Sequence, residues 1–219
     1  LTGALYTREP QPGGTVALTL DIDLQADVEK ALANTISGMI DKDSNERGGA
    51  AAVIQVGTGE VLAMASYPTY DLETFNQNYE TLVEDDRLPM FNRATDGTYA
   101  PGSTFKMCTL VAAMENTNSK GKRILDYMET IQDKGVFTEL GDGFNPKCLL
   151  YSSVLATHGT IDATDALKVS CNYFFYELGF RLTWQMMDAT AKGFGLGEPT
   201  GIELTEKIGW RSNPDSKAA

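Results

Sequence analysis

Histidine and cysteine are scarce in this sequence, which has one histidine, His158, and three cysteines, Cys108, Cys148 and Cys171. No two cysteines have the C-x-x-C spacing of a common metal site, and three cysteines are too few for a disulfide scaffold. A single histidine argues against a His-based zinc site, and a Ser-His-Asp triad would have to use His158. The sequence therefore predicts no metal centre.

Basic residues and long apolar runs are also scarce. Lysine and arginine number 18 against 30 aspartates and glutamates, which gives a net charge of −12. So acidic a chain, without a basic cluster, is a poor candidate for binding nucleic acid. No apolar run approaches the length of a membrane span, and no signal peptide begins at Leu1.

The first half of the sequence contains strand patterns and one amphipathic helix. Residues 1–14 are rich in turn residues and predict a linker. Val16, Leu18 and Leu20 alternate as in a half-buried strand. Two apolar runs around Gly57-Thr58-Gly59 predict a hairpin that is covered on both faces.

The second half predicts mainly helices. Helical periodicity or apolar character is found in residues 24–40, 103–114, 160–170, 172–182 and 184–197. Residues 72–98 and 117–160 are predicted to be irregular or to form loops around short elements. Early strands followed by a helical block predict an α/β or α+β fold with a helical subdomain.

One lysine lies where its charge is penalised twice. Lys106 stands in the first turn of the apolar segment 103–114, where burial and the helix dipole both disfavour an ammonium. Ser103 comes three residues earlier and therefore lies on the same side of a helix. An amine with a lowered pKa can take the proton of a serine hydroxyl, and free N–H groups at the helix start can stabilise an oxyanion. S-x-x-K thus predicts a serine nucleophile with its general base.

Structural alternatives compete with this interpretation. Ser103 would then be an ordinary N-cap, and Lys106 would extend its ammonium to the surface. A second pattern, Ser170-Cys171-Asn172, lies between two predicted helices, where a hydroxyl and an amide can relay a proton and hold a substrate amide. Serine and asparagine are also common in turns. Together, however, S-x-x-K and a following serine-x-asparagine are typical of β-lactamases and penicillin-binding proteins.

Five stretches, in the same order along the chain, resemble the transpeptidase domain of class B penicillin-binding proteins. Their sequences are most like those of Gram-positive, clostridial members. They are "LTLDIDLQ", "GTGEVLAMASYPTYD", "FNRATDGTYAPGSTFK", "HGTIDATDALKVSCNYFFYELG" and "FGLGEPTGIEL". The resemblance implies a β-lactamase/transpeptidase-like fold over residues 15–219. It also implies a D,D-transpeptidase that cross-links peptidoglycan and is acylated by β-lactams.

The resemblance implies a role for each motif residue. Ser103 would be acylated, with Lys106 as its base. Ser170 would pass protons to the leaving amine, and Asn172 would bind the peptide amide of the substrate or the side-chain amide of a β-lactam. The partners would be a stem peptide ending in D-Ala-D-Ala and β-lactam antibiotics, and no cofactor would be needed. The enzyme would act on the outer face of the cell membrane, held by an N-terminal helix that this chain lacks.

Other residues receive structural roles beside this resemblance. His158 is expected to fix a loop, and the four aromatic residues 173–176 are expected to pack in the core. Cys108 is expected to be a small buried apolar residue. We favour free thiols at Cys148 and Cys171 over a disulfide between them.

The third motif of the family, lysine followed by serine or threonine and then glycine, is absent from these residues. The resemblance therefore predicts a partial domain, with the first strands and the helical subdomain but without the C-terminal strands. We expect such a chain to be weakly active, because losing one oxyanion donor costs about 10²–10³ in rate. Its exposed sheet edge is expected to pair with the missing segment or with a second copy.

Two other functional classes stay open at this point. An S-x-x-K hydrolase, either a carboxypeptidase or a β-lactamase, would pass the acyl group to water instead of an amine. A non-enzymatic β-lactam sensor or scaffold would keep the fold alone, although the presence of all four motif residues argues against an inactive scaffold.

Overall fold

The structure is a computed structural model that describes residues 12–37, 39, 48–141 and 143–211. The chain divides into two compact units, one ending at Gly97 and one beginning at Thr98. Most of the predicted linker, residues 1–11, lies outside the described residues. No described helix has the length and apolar character needed to cross a membrane.

The elements of the first unit are α1 (Ile22–Ile36), β1 (Gly49–Ile54), β2 (Val61–Tyr67) and α2 (Phe75–Glu84). Those of the second unit are a 3-10 turn (Gly102–Phe105), α3 (Lys106–Glu115), β3 (Ile131–Asp133), α4 (Leu149–Val154), β4 (Gly159–Ile161), α5 (Ala163–Lys168), α6 (Asn172–Arg181) and α7 (Trp184–Gly193). This mixture of separate strands and helices confirms the predicted α+β class.

The first unit is built on the predicted antiparallel hairpin. β1 and β2 pair from Gly49↔Tyr67 to Ile54↔Val61. Helix α1 packs on β2, and the amide side chain of Gln25 both donates to and accepts from the backbone of Met64 at 2.7 Å. Gln25 thereby satisfies backbone groups that would otherwise lack a strand partner.

One prediction about the strands of this unit is wrong, and another holds only in part. Residues 12–20 form no strand, and Val16 and Leu18 are 81% and 71% exposed. Asp21 N–H donates to the carbonyl of Leu62, but an isolated backbone bond does not make a ladder. β1 is not covered on both faces, since its residues alternate between half-buried and exposed, whereas every residue of β2 is buried or half-buried, as predicted.

The second unit packs its helices around one apolar core. Helix α3 lies against α6 and α7, and its Ala112 and Ala113 are fully buried, which allows a close approach. Phe174 and Phe175 on α6 are buried, as predicted for the aromatic run. The largest fully buried side chains are Phe137, Phe174, Leu125, Leu178, Cys148 and Cys171.

Capping residues explain why the last three helices begin where they do. The Asp162 carboxylate accepts from Asp165 N–H, and the Thr183 hydroxyl accepts from Met186 N–H. The Cys171 sulfur accepts from Phe174 N–H at 3.5 Å and so takes the N-cap position of α6. These helices were all predicted from the sequence, and each lies within its predicted segment.

The segments predicted to be irregular contain α2, α4 and a small second sheet. β3 and β4 pair antiparallel from Ile131↔Ile161 to Asp133↔Gly159. Strands of three residues are too short to show a period in the sequence. Their pairing places Asp133 beside His158, whose backbone N–H donates to the Asp133 carboxylate at 3.0 Å.

Gly135 is required where the chain leaves β3, and we predict that Gly135→Ala destabilises the protein by about 2–4 kcal/mol. Its φ is +81°, and an added Cβ would lie 2.2 Å from the Tyr151 ring. Gly179→Ala is the matched control, because that helical site has open space around it and alanine should stabilise by up to about 1 kcal/mol. The measurement is the free energy of unfolding of both variants in denaturant. Equal values for Gly135→Ala and Gly179→Ala would contradict the prediction.

Candidate active site

Ser103 and Lys106 lie where the 3-10 turn joins α3. Lys106 N–H donates to the Ser103 carbonyl, and residues three apart eclipse each other in a 3-10 helix. The predicted helix over 103–114 therefore begins with a tighter turn, whose first residue, Gly102, has a φ of +56°. Ser103 is exposed, whereas Lys106 is half-buried.

The Lys106 ammonium is held by the residues that precede and begin α6. Its Nζ donates to the Ser170 carbonyl at 2.7 Å, to Ser170 Oγ at 2.9 Å and to Asn172 Oδ1 at 2.6 Å. An ammonium has three donors, so these acceptors use all of them. The structure thus brings together three of the four predicted site residues in direct contact.

Ser170 adopts a backbone conformation that serine rarely has. Its φ is +51°, in the left-handed region, where a side chain costs energy. This conformation allows the carbonyl and the hydroxyl of one residue to meet the same ammonium. The sequence pattern carried no sign of it, because glycine or asparagine is the usual residue at such a position.

The surroundings of Lys106 favour its neutral form more than water does. Burial lowers the pKa of the Lys106 ammonium, and the neighbouring Cys171 and Cys148 act in the opposite direction. Its Nζ also lies 5.4 Å from the centre of the Phe175 ring. The direction of the pKa shift agrees with the predicted role of a general base.

The hydrogen bonds allow Lys106 to act both as a charged donor and as a neutral amine that accepts a proton. After losing one proton, the amine keeps two donors for the Ser170 carbonyl and Asn172 Oδ1. Its lone pair then accepts a proton from a hydroxyl. Among the described residues no hydrogen bond joins Ser103 Oγ to Lys106. Ser103, the predicted nucleophile, is exposed, and the Lys106 amine donates to Ser170 and Asn172.

An apolar cavity of about 630 Å³ lies in the second unit, next to the 3-10 turn that carries Ser103. Its walls include Phe105, Trp184, Met187 and Trp210, and none of the four motif residues lines it. The motif residues themselves therefore lie outside this cavity, although Pro101 and Phe105, on either side of Ser103, line it.

Sequence reasoning missed a second constellation next to the site. Asp133, Cys148, His158 and Cys171 place one ligand-type atom each within 4.8 Å of the others. The described cysteines are free thiols, as we favoured, and His158 contacts Asp133, the last residue of β3. In the sequence, the one hint of this cluster was Cys171, which stands in the middle of the serine-x-asparagine motif.

The penicillin binding protein transpeptidase domain family matches residues 49–216, which is most of the chain. The chain belongs to this family. That result confirms the resemblance seen in the sequence and the transpeptidase-like fold that it implied. The described site then has the two motifs of a penicillin-binding transpeptidase domain, S-x-x-K and serine-x-asparagine, side by side.

The chain is similar to named relatives over nearly all its length. The peptidoglycan D,D-transpeptidase MrdA of Acinetobacter baumannii is 30% identical over 97% of this chain and 29% of that protein. Stage V sporulation protein D of Bacillus subtilis is 32% identical over 89% of this chain and 27% of its own length. The chain thus spans less than a third of these relatives.

A solved structure shares the fold. Penicillin-binding protein A from M. tuberculosis, determined as a penicillin G acyl-enzyme complex, is 26% identical with a TM-score of 0.73. The match covers 92% of this chain and 45% of that one.

Proposed function

We propose that the protein to which this chain belongs is a D,D-transpeptidase that cross-links peptidoglycan stem peptides through an acyl-enzyme on Ser103. The observation that carries the proposal is the arrangement of Lys106, bound to Ser170 and Asn172 and three residues from Ser103. The names of the relatives support it, since MrdA is a peptidoglycan D,D-transpeptidase and the M. tuberculosis protein forms a penicillin acyl-enzyme.

Acylation begins with the neutral amine of Lys106. The amine takes the Ser103 proton while Ser103 Oγ attacks the carbonyl carbon of the D-Ala-D-Ala bond. Backbone N–H groups at the start of the turn stabilise the oxyanion. Ser170 Oγ, 2.9 Å from Nζ, passes a proton from Lys106 to the leaving nitrogen, the C–N bond breaks, and D-Ala departs.

Transfer of the acyl group reverses these steps with a new amine. The amine of a neighbouring stem peptide attacks the Ser103 ester, loses a proton through Ser170 to Lys106, and forms a new peptide bond. Ser103 Oγ leaves and regains its proton. A β-lactam follows the first step alone, because its leaving nitrogen stays tethered to the acyl group and keeps the site blocked.

Asn172 has two functions in this scheme. Its Oδ1 accepts from Lys106 at 2.6 Å, which fixes the orientation of the amide. The Nδ2 donors are then directed away from the lysine and can bind a carbonyl oxygen of the substrate peptide or of a β-lactam side chain. Peptidoglycan lies outside the cytoplasmic membrane, so we place the protein on the extracytoplasmic face.

The test is covalent labelling with a fluorescent penicillin, applied to the protein in the form that its gene encodes. We expect one label per molecule, located by mass spectrometry on the tryptic peptide 94–106, which contains Ser103. Ser103→Ala should give no label. A label on another residue, or none at all on the folded protein, would contradict the proposal.

A second measurement separates transfer from hydrolysis. The labelled or peptide-acylated protein is offered a D-amino acid as acceptor amine in competition with water. A transpeptidase yields the amide product, whereas a carboxypeptidase or β-lactamase yields the free acid in excess.

A further inference from the structure

The aromatic ring of Phe175 lies beside the charged end of Lys106. Helix α6 begins with Asn172 and carries Phe175 three residues later, so the two side chains lie on one side of the helix. Asn172 Oδ1 accepts from Lys106 Nζ at 2.6 Å, and Nζ lies over the Phe175 ring, 5.4 Å from its centre. One helix therefore supplies the lysine with both a hydrogen-bond acceptor and an aromatic face.

The Phe175 ring is packed in place and shielded from water. It is 7% exposed, and its centre lies 5.6 Å from the centre of the Phe174 ring. Helix α6 also packs against α3, the helix that Lys106 begins. A cation within about 6 Å of a ring centre is attracted by the negative face of the ring, and the attraction is stronger where water is excluded. Phe175 has both the distance and the burial that this attraction requires.

The ring distinguishes between the two protonation states of Lys106. The three hydrogen bonds to Ser170 and Asn172 already use the three donors of the ammonium. The ring needs no donor of its own, because its face acts on the positive charge. Once Lys106 has lost a proton, the charge is gone and the attraction with it. The ring face therefore favours the ammonium, whereas the bulk of the ring, by excluding water, favours the neutral amine.

We propose that Phe175 is a positioning residue whose ring face stabilises the ammonium that forms on Lys106 during acylation. This role rests on the proposed function, in which the Lys106 lone pair takes the proton of the Ser103 hydroxyl while Ser103 Oγ bonds to the substrate carbonyl carbon. In that step the amine becomes a cation and the carbonyl oxygen becomes an anion. Because the ring attracts the cation that forms and not the amine present at the start, it stabilises the transition state more than the ground state and speeds the step.

Several other titratable groups lie on the elements around Lys106. The thiols of Cys171 and Cys148 act on it directly, since either one would raise the pKa of Lys106 when ionised. Burial raises the pKa of the Cys171 thiol to about 12 and also raises that of Cys108 on α3. The helices packed against α3 carry Asp165 and Lys168 on α5, Tyr173, Tyr176, Glu177 and Arg181 on α6, and Asp188 and Lys192 on α7. A change confined to the Phe175 ring leaves all these groups in place, so a changed titration of Lys106 then reports the ring.

The test weakens the negative face of the ring while keeping its shape. Phenylalanines with one, two and three ring fluorines are placed at residue 175 of the protein in the form that its gene encodes. The rate constant of Ser103 labelling by a penicillin is then followed from about pH 6 to pH 10. We expect the midpoint of the rise in rate to move to lower pH with each fluorine, by about 0.5–1.5 pH units for three. The rate at high pH should fall by about 3–30-fold, because the amine has become a weaker base.

Phe174 provides the matched control, because its ring is also buried and lies next to Phe175 on the same helix. The same fluorinated series at residue 174 should leave the midpoint of the pH profile unchanged. Phe175→Leu keeps an apolar side chain but has no ring, so its midpoint should move in the same direction as that of the fluorinated variants. A purely structural role of Phe175 would change the free energy of unfolding without moving the midpoint.

A direct titration separates the role of Phe175 from the proposed function. In Ser103→Ala protein, which forms no acyl-enzyme, NMR of isotope-labelled lysine follows the protonation of Lys106, and the signal missing after Lys106→Met identifies it. Fluorination of residue 175 should lower the pKa of Lys106 here as well.

The possible results point in different directions. An unchanged pKa of Lys106, or an equal change caused by fluorination of residue 174, would overturn the role of Phe175 even if Ser103 is labelled as proposed. A lowered pKa in a protein whose Ser103 takes no label would support the action of the ring on Lys106 and contradict the proposed function.

Discussion

Lys106→Ala is expected to slow labelling of Ser103 by a penicillin by about 10²–10⁴-fold, the usual contribution of a positioned general base. The structure places the Lys106 amine on Ser170 and Asn172 in a half-buried position, where burial lowers its pKa. Alanine leaves Ser103 in its exposed turn but removes the amine that we propose takes its proton. The second-order rate constant of labelling is the measurement.

Two controls separate loss of the base from loss of packing. Lys106→Met keeps an unbranched chain over the Phe175 ring but has no amine, so it should be as slow as Lys106→Ala. Lys168→Ala removes an exposed lysine at the end of α5 and should label at the wild-type rate. Rapid labelling of Lys106→Met would show that some other group acts as the base.

Much of the fold was predictable because local rules agree with the tertiary structure. Helix α1 has an apolar period and Asp21 as its N-cap, and the hairpin turn contains Gly57 and Gly59 with positive φ. The failure at residues 12–20 has a physical cause. Alternating apolar side chains form a strand only where a partner strand and a packing surface are available. The local sequence does not show whether they are.

The candidate site was predictable in its membership and less so in its geometry. S-x-x-K fixes the spacing of Ser103 and Lys106 through the backbone, and the three-residue step survives in the 3-10 turn. The contact between Lys106 and Ser170 depends on how α3 packs against α6. The left-handed φ of Ser170 is a further feature that no local sequence pattern predicts, since glycine or asparagine is the usual residue there.

The four-residue cluster was missed for a related reason. Its members come from four segments, and their distances along the chain match no short metal motif. The decisive neighbour relation, Asp133 beside His158, comes from two three-residue strands that the sequence does not show.

Asn172→Asp is expected to slow Ser103 labelling at neutral pH by about 10–10³-fold and to move its pH dependence upward. Asn172 Oδ1 lies 2.6 Å from Lys106 Nζ, so a carboxylate there would add a negative charge in contact with the ammonium. An opposite charge stabilises the protonated form and raises the pKa of Lys106, which is the reverse of what burial does. At a fixed pH below the pKa of Lys106, the fraction of neutral amine then falls, and the labelling rate falls in proportion.

The sign of the effect makes the experiment decisive. Labelling depends on the neutral amine, so its rate rises with pH through the pKa of Lys106, and a raised pKa delays that rise. Asn172→Asp should therefore recover at high pH, when rates are followed from about pH 6 to pH 10. Asn172→Ala, which removes the acceptor for Lys106 and the Nδ2 donor without adding charge, should be slow without the upward displacement. Identical pH profiles for the two variants would mean that Lys106 does not act as the base, and that Asn172 serves substrate binding alone.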